Sequence, residues 1–317
     1  MTVIVVTTAA DTIADDGKTS LREAVAQAAG TSGHVDIVFD EATFLNPDTY
    51  VVTAIQLGES LTITGGDITI DGSLYYGGNG YGLKISGSTL STNALTVEAG
   101  AKVTLRDLTI QGSSSNNIKA AYGADGHNGT DGTNGTGVPN GLPTLPPPGQ
   151  GTSGTHATDG ADAPNDAEDG RMAVGAIVNR GDLVLERVDI RNFKTEGGAG
   201  GLGGEGGRGG AGGNGEPGSW EEGPHQSGGN GGNGGNSGDG ANGGNGGAGG
   251  AGIYNAGTLT PRDTAFAGMY ATGGNGGEAG DGPWGGHGGG WGSSFYDTGA
   301  QGGNGGNGGD GGNGGNG

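Results

Sequence analysis

From Ala199 onward the chain is dominated by one short unit, Gly-Gly-X. Ala199, Leu202, Glu205, Arg208, Ala211 and Asn214 stand three apart with glycine pairs between them. After a break around Trp220 to Gln226 the triplet resumes in a new frame at Asn230, Asn233, Asn236, Asp239, Asn242, Asn245, Ala248 and Ala251. The plan recurs at Asn275, Glu278, Asp281, Trp284 and His287, breaks around Ser293 to Ala300, and continues at Gln301, Asn304, Asn307, Asp310, Asn313 and Asn316. A period of three is the polyproline II geometry, which makes no internal backbone hydrogen bonds. Two residues in three without a side chain leave bare edges, so neighbouring strands approach until N–H groups reach carbonyls next door, with Cα–H contacts adding a smaller term. One break per insert reads as a hairpin. An earlier stretch, with Gly123, Gly126, Gly129, Gly132 and Gly135 three apart, a Pro-rich turn at Pro143 to Pro148 and a poorer return to Gly170, makes a third hairpin and six arms in all.

Glycine supplies 84 of 317 residues, a composition that by itself describes a flexible linker. Strict triplets, a single break per insert and a shared point of entry argue instead for an ordered bundle. Uniformly unprotected glycine amides in residues 197 to 252 under hydrogen exchange would contradict it.

The remaining sequence is β-like. Val3 to Thr7, Val35 to Phe39, Leu61 to Ile63, Ile68 to Ile70, Leu83 to Ile85, Leu95 to Val97, Val103 to Leu105 and Leu108 to Ile110 carry apolar residues at every second position. One helix is predicted at Ser20 to Ala29, where Ser20 and Glu23 form a capping box and Leu21, Ala24, Val25 and Ala28 share a face. The pattern Val103, Leu105, Leu108, Ile110 recurs at Leu183, Leu185, Val188, Ile190 and again at Leu259, Pro261, Thr264, Phe266. Ile177, Asn179 and Gly181 likewise correspond to Ile253, Asn255 and Gly257, and bends fall at Asp107, Arg187 and Asp263. A unit of two short strands cannot bury its apolar face alone, whereas stacked copies can, which predicts a parallel β-helix. Pro261 and Thr264 weaken the third copy. The glycine-rich inserts enter soon after Ile110, Ile190 and Phe266, and should leave one side of the stack. The third ends at Gly317 inside its second arm, which predicts either continuation into another coil or a terminal strand held by the bundle.

Charge and composition narrow the function. Thirteen basic against 34 acidic residues give a net charge of -21, which opposes nucleic acid and anionic membranes. An apolar fraction of 30% is too small for a conventional core of this length, which argues against a large globular enzyme. Without cysteine there is no disulfide, thiolate zinc site or cysteine nucleophile. The longest apolar run, Val3 to Val6, is too short for a membrane span or a secretory signal.

Residues 15 to 29, DDGKTSLREAVAQAA, resemble the CSLREA-type N-terminal motif of large extracellular bacterial β-helix proteins. Thr19 replaces its cysteine and Ala29 its terminal asparagine, while Ser20, Leu21, Arg22, Glu23 and Ala24 match. With the coil pattern (GAIVNRGDLVLERVDI, AGIYNAGTLTPRDTAF) the likeness covers most of the non-glycine sequence. It implies a right-handed β-helix and an extracellular or cell-surface location, with type I secretion as the route for members that carry calcium-binding RTX repeats. The arms separately resemble those of glycine-rich antifreeze proteins and of phage tail-tip adhesins, a likeness of material more than of function.

Chemical motifs are sparse. Gly17-Lys18-Thr19 matches the end of a phosphate-binding loop, but Thr12 stands where its first glycine is required. Gly77 to Leu83 has the outline of an RTX nonapeptide, yet Gly82 replaces the liganding aspartate; Asp239, Asp281 and Asp310 are isolated acids that serve either as weak calcium sites or as a solvated edge. No cofactor is expected beyond that open question of calcium. The five histidines are never spaced as a metal pair. Asp107, Glu186, Asp189 and Asp263 lie beside Arg106, Arg187, Arg191 and Arg262, where turn chemistry and ion pairing account for them without catalysis. The tryptophans sit in or next to insert breaks. Trp220, Trp284 and Trp291, with Tyr296, either cap bare glycine backbone or form a display surface for glycans or receptors.

The sequence thus predicts an all-β chain: a right-handed parallel β-helix bearing glycine-rich hairpins that form a polyglycine II bundle. The divisions are residues 1–112 (cap and first coils), 113–172 (insert), 173–193 (coil), 194–251 (insert), 252–270 (coil) and 271–317 (insert). The expected function is a non-enzymatic extracellular structural or adhesive protein. Its lattice edge of Asn230, Asn233, Asn236, Asn304, Asn307 and Asn313 would bond to neighbouring molecules or glycans, and self-association would give a fibre or surface layer. The alternatives are an ice-binding protein, disfavoured by Asn and Asp at the X positions, a receptor- or glycan-binding adhesin, and a polysaccharide-degrading enzyme.

Overall fold

The computed structural model describes residues 2–76, 79–113, 117–136, 153, 155–215, 230–290, 301 and 303–316. The chain is mostly β with parallel sheets and divides into two compact units. The first comprises Met1–Ala121, Met172–Gly197 and Ala248–Gly273; the second comprises Tyr122–Arg171, Gly198–Gly247 and Gly274–Gly317.

In the first unit, strands distant in sequence pair in parallel. One sheet runs Thr2–Val6, His34–Phe39, Asp67–Asp71, Lys102–Arg106, Asp182–Glu186, Thr258–Arg262 in that spatial order. The sequence repeat is its register: Val103 pairs with Leu183 and Leu183 with Leu259, and Leu105 pairs with Leu185 and Leu185 with Pro261. A second sheet aligns Ile110 with Ile190 and Ile190 with Phe266, and a third aligns Ile177 with Ile253. Alternation sends Val103, Leu105, Leu183, Leu185 and Ile190 to a continuous buried core. The three expected bends, Asp107, Arg187 and Asp263, all adopt the left-handed region with φ of 54°, 53° and 49°. Arg187 there donates to both carboxylate oxygens of Asp107 at 2.7 Å, which holds one bend on the next. In the third copy Pro261 lies in the outermost strand of its sheet, where a missing donor is tolerated, and Phe266 is half exposed.

The helix Leu21–Ala29 forms as predicted. Ser20 Oγ accepts from the Glu23 N–H at 3.2 Å while Glu23 Oε2 accepts from the Ser20 N–H at 2.8 Å, and Leu21, Ala24, Val25 and Ala28 are its buried face. The glutamate's other oxygen takes the Ala14 N–H at 2.7 Å. These backbone donors, that of Ser20 first, hold the Glu23 carboxyl below the usual carboxylate range. Because the depressed value belongs to the folded state, its contribution is complete above the unfolded pKa and lost as pH falls through the folded one. Ser20→Ala should lower stability by about 1 kcal/mol, read from the urea midpoint.

Asn179 closes the first unit's polar ladder. Fully buried, it donates from Nδ2 to Asn255 Oδ1 at 2.6 Å and to the Thr258 carbonyl at 2.9 Å, and its Oδ1 accepts from the Gly181 N–H at 3.2 Å. A three-stranded sheet absent from the sequence reading, Asn117–Lys119, Lys194–Glu196 and Tyr270–Thr272, also belongs to this unit.

Candidate functional site

The second unit is built almost wholly of the six arms: 123–136, 155–171, 198–215, 230–247, 274–290 and 303–316, here arms 1 to 6. None of them bonds to itself in the manner of a helix. Consecutive arms run antiparallel and are joined by glycine N–H groups: Gly235 donates to the Gly210 carbonyl at 2.8 Å, Gly286 to Gly235 at 2.8 Å and Gly306 to Gly286 at 2.7 Å. Alternate arms run parallel, so that arms 1, 3 and 5 make one row and arms 2, 4 and 6 another. Gly160 donates to the Asn236 carbonyl at 2.8 Å, and Gly234 to that of Asn304 at 2.9 Å.

In arm 4 these two sets account for two amides in every triplet. The third, at X itself, is taken by a side chain. Asp125, Asn128, Asp131 and Asn134 of arm 1 accept through Oδ1 from the N–H of Leu202, Glu205, Arg208 and Ala211 at 2.8, 2.9, 2.8 and 2.8 Å. Arm 2 serves arm 4 in the same way: His156 Nδ1 and the Oδ1 atoms of Asp159, Asp162, Asp166 and Asp169 accept from Asn233, Asn236, Asp239, Asn242 and Asn245. Arm 4 then serves the last arm, with Asn230, Asn233 and Asn236 accepting from the N–H of Gln301, Asn304 and Asn307 at 2.9, 3.0 and 2.9 Å, and Asn242 from Asn313 at 2.7 Å. Every interior backbone donor of arm 4 from Gly231 to Gly247 thereby has a partner, which a chain without internal hydrogen bonds requires.

The asparagines expected on a display edge therefore separate into two groups. Asn230, Asn233 and Asn236 turn their oxygens to the next arm's backbone. Asn304, Asn307 and Asn313 donate their backbone N–H to those oxygens, while among the described residues their own side-chain oxygens bond to nothing. The isolated acid Asp239 is engaged likewise, accepting from Asp310 N–H at 2.8 Å. Two hydrogen bonds from Asn242, the backbone one first, depress the Asp166 carboxyl below its ordinary range. Its share of stability is present above the unfolded value and disappears as pH falls through the folded one. The protection factor of the Asn242 amide should accordingly fall as pH drops below about 4, and Asp166→Ala should lower it likewise at neutral pH.

Between arms 3 and 5 the ladder keeps one rung, Asn214 Oδ1 accepting from the Gly290 N–H at 2.8 Å, and is otherwise interrupted. Leu202, Glu205, Arg208 and Ala211 carry no short acceptor, and the N–H groups of Glu278, Asp281, Trp284 and His287 meet none among the described residues. In its place lies a groove of about 920 Å³ lined by Glu205, Arg208, Asp281, Pro283, Trp284 and His287 among others. The Trp284 side chain is 87% exposed. Of the four aromatic residues singled out from sequence it alone is described; Trp220, Trp291 and Tyr296 lie outside the described residues.

Among the described residues no group of three or more His, Asp or Glu converges as a metal site, and no helix is long and apolar enough to cross a membrane. The arginines and acids of the bends pair with each other: Arg262 with Glu186 at 3.0 Å, Arg106 with Asp71 at 2.5 Å, and Arg191 with Asp189. Burial pushes the Asp71 carboxyl up, but the hydrogen bond from Arg106, together with those from Ser73, more than offsets this and leaves it below the ordinary value. No protein-family model matches the chain, and neither a curated protein nor a solved structure does.

Proposed function

We propose that the first unit is a right-handed parallel β-helix and the second a polyglycine II bundle, and that the protein is a non-enzymatic, extracellular structural or adhesive element. Handedness and surface location rest on the resemblance of residues 15 to 29; stacked parallel register and the three-residue bonding period support the rest. The single observation that carries the functional reading is the ladder of Asp and Asn oxygens on backbone N–H groups. It supports a rigidifying role for the polar X side chains of arms 1, 2 and 4, which a scaffold needs and a flexible linker lacks. Hydrogen exchange tests this: amides of arm 4 should be protected to nearly the same degree as those of the β strands, and rapid uniform exchange would remove the reading.

The groove favours a second reading, a glycan-binding adhesin. An exposed indole offers a stacking face, Glu205 and Asp281 accept from hydroxyls, and Arg208 and the unpaired N–H groups donate. Trp284→Ala should abolish retention on a panel of immobilised polysaccharides while leaving the melting temperature unchanged. A wild-type protein that binds none of the panel excludes those glycans. The ice-binding alternative would show as thermal hysteresis, and the enzyme alternative as release of reducing or unsaturated sugars.

A further inference from the structure

Arms 1 and 3, 2 and 4, and 4 and 6 are joined by a two-point contact. The X side chain accepts from the N–H of the X residue it faces, and the residue after it donates its own N–H to that residue's carbonyl. Asn128 and Gly129 hold Glu205 in this way at 2.9 and 2.8 Å, and Asn233 and Gly234 hold Asn304 at 3.0 and 2.9 Å. Between arms 3 and 5 the second half of the contact survives. Gly203, Gly206 and Gly212 donate to the carbonyls of Glu278, Asp281 and His287 at 2.8, 3.0 and 2.8 Å. The first half is absent where Leu202, Glu205, Arg208 and Ala211 stand in place of a short acceptor. The N–H groups of Glu278, Asp281, Trp284 and His287 are therefore fixed in position and left open among the described residues, one per triplet. In the same groove the Gly209 N–H also lacks an acceptor among those residues. Both flanking arms lie inside the described array, so this row does not depend on any segment beyond Gly317.

A ligand for the row must carry acceptors at the same repeat. Three residues of polyproline II rise about 9 Å, and the carbonyls along one edge of any polyproline II chain recur at that interval. A β-strand turns carbonyls to one edge at every second residue, about 6.7 Å apart, and falls out of step after the first contact. The exposed indole of Trp284 and the Pro283 ring beside it offer a face on which proline rings stack. Glu205 and Asp281, against Arg208, disfavour an anionic ligand, whereas a proline-rich chain brings acceptors without charge. Such a chain is also preformed, so docking costs it little conformational entropy.

We propose that this groove binds a proline-rich partner segment in the polyproline II conformation, lying along arms 3 and 5 with every third carbonyl on the open N–H row. The inference goes beyond the glycan reading of the same groove, in which acceptor spacing plays no part, and it rests on the polyglycine II reading of the arms.

Calorimetric titration of the full chain with an oligoproline peptide long enough to span the row tests it, with hydrogen exchange on the same samples. Binding is expected, and the amides of Glu278, Asp281, Trp284 and His287 should exchange freely in the unliganded protein and gain protection in the complex. A Gly-Ser peptide of equal length, which is not preformed, should bind more weakly by about 10-fold or more. Combining Leu202→Asn, Glu205→Asn, Arg208→Asn and Ala211→Asn supplies the missing acceptors from within, as asparagine does in arm 4. This variant should protect the same amides without peptide and lower peptide affinity by about 100-fold or more. Trp284→Ala, which changes only an exposed side chain, should weaken binding by about 10-fold at an unchanged melting temperature. Oligoproline that does not bind, amides of the row already protected in the free protein, or binding indifferent to these variants overturns the proposal, as does retention on polysaccharides alone. Any of those results with arm 4 amides protected overturns the peptide site alone, whereas unprotected arm 4 amides overturn the polyglycine II reading as well.

Discussion

Gly235→Ala is expected to dismantle the arm array. A Cβ at this position would lie 1.9 Å from the Thr158 carbonyl oxygen and 2.6 Å from its carbon, so backbone and not a flexible side chain must move. Movement there strains two bonds at once, from Gly235 N–H to the Gly210 carbonyl and from Gly286 N–H to Gly235. The cost should be about 3 kcal/mol or more, at the upper end for overpacking, because the obstruction lies in the bonded backbone itself. Hydrogen exchange should show arms 2 to 5 losing protection together. Gly308→Ala, whose Cβ meets nothing nearer than 3.5 Å, is the control and should leave stability unchanged within about 0.5 kcal/mol. Equal effects at both sites would show that the arms are not packed as described.

The second large effect is expected at Asn179. Replacement by Ala removes three hydrogen bonds from a site where residue 179 has no solvent access and leaves the buried Gly181 N–H unpaired, at a cost of about 3 kcal/mol. Asn179→Asp keeps the shape but should be worse at neutral pH, since it places a carboxylate against the Asn255 side-chain oxygen and the Thr258 carbonyl. Protonation supplies one donor, so this variant alone should gain stability relative to wild type as pH falls. Denaturant titration at pH 7 and pH 4 separates the two substitutions, and an Asp variant indifferent to pH would show that residue 179 is hydrated.

Much of the first unit was legible because its signals are local or repeated. The capping box at Ser20 and Glu23 fixes a helix start by itself. The copies at Val103, Leu183 and Leu259 could be superposed from sequence, and the superposition proved to be the strand register. The strands Asn117–Lys119, Lys194–Glu196 and Tyr270–Thr272 were not legible, since none shows apolar alternation; their pairing follows from the register of the strands before them. In the arms, the period of three was plain but the destination of the side chains was not. Asp159 accepts from Asn236 and Asn236 from Asn307, across 77 and then 71 residues. Between Asp162 and Asp166 arm 2 holds one residue more than a triplet, and the ladder resumes beyond it at Asn242. The groove at Trp284 arises where Leu202, Glu205, Arg208 and Ala211 interrupt that ladder, which becomes visible only once arms 3 and 5 are placed side by side.

The sequence by itself determined the two periods, two for the strands and three for the arms. These follow from the sterics of side chains, or of their absence, on residues adjacent in the chain. It also determined that the arms must bond to one another, because a three-residue period has no internal acceptor for its amides. Only the tertiary structure decided which arm lies beside which, and therefore which asparagine oxygens face inward to backbone N–H groups and which remain at the outer edge. That choice depends on contacts between residues more than 70 positions apart, and Gly-Gly-Asn reads the same whether its oxygen meets a neighbouring arm or nothing at all.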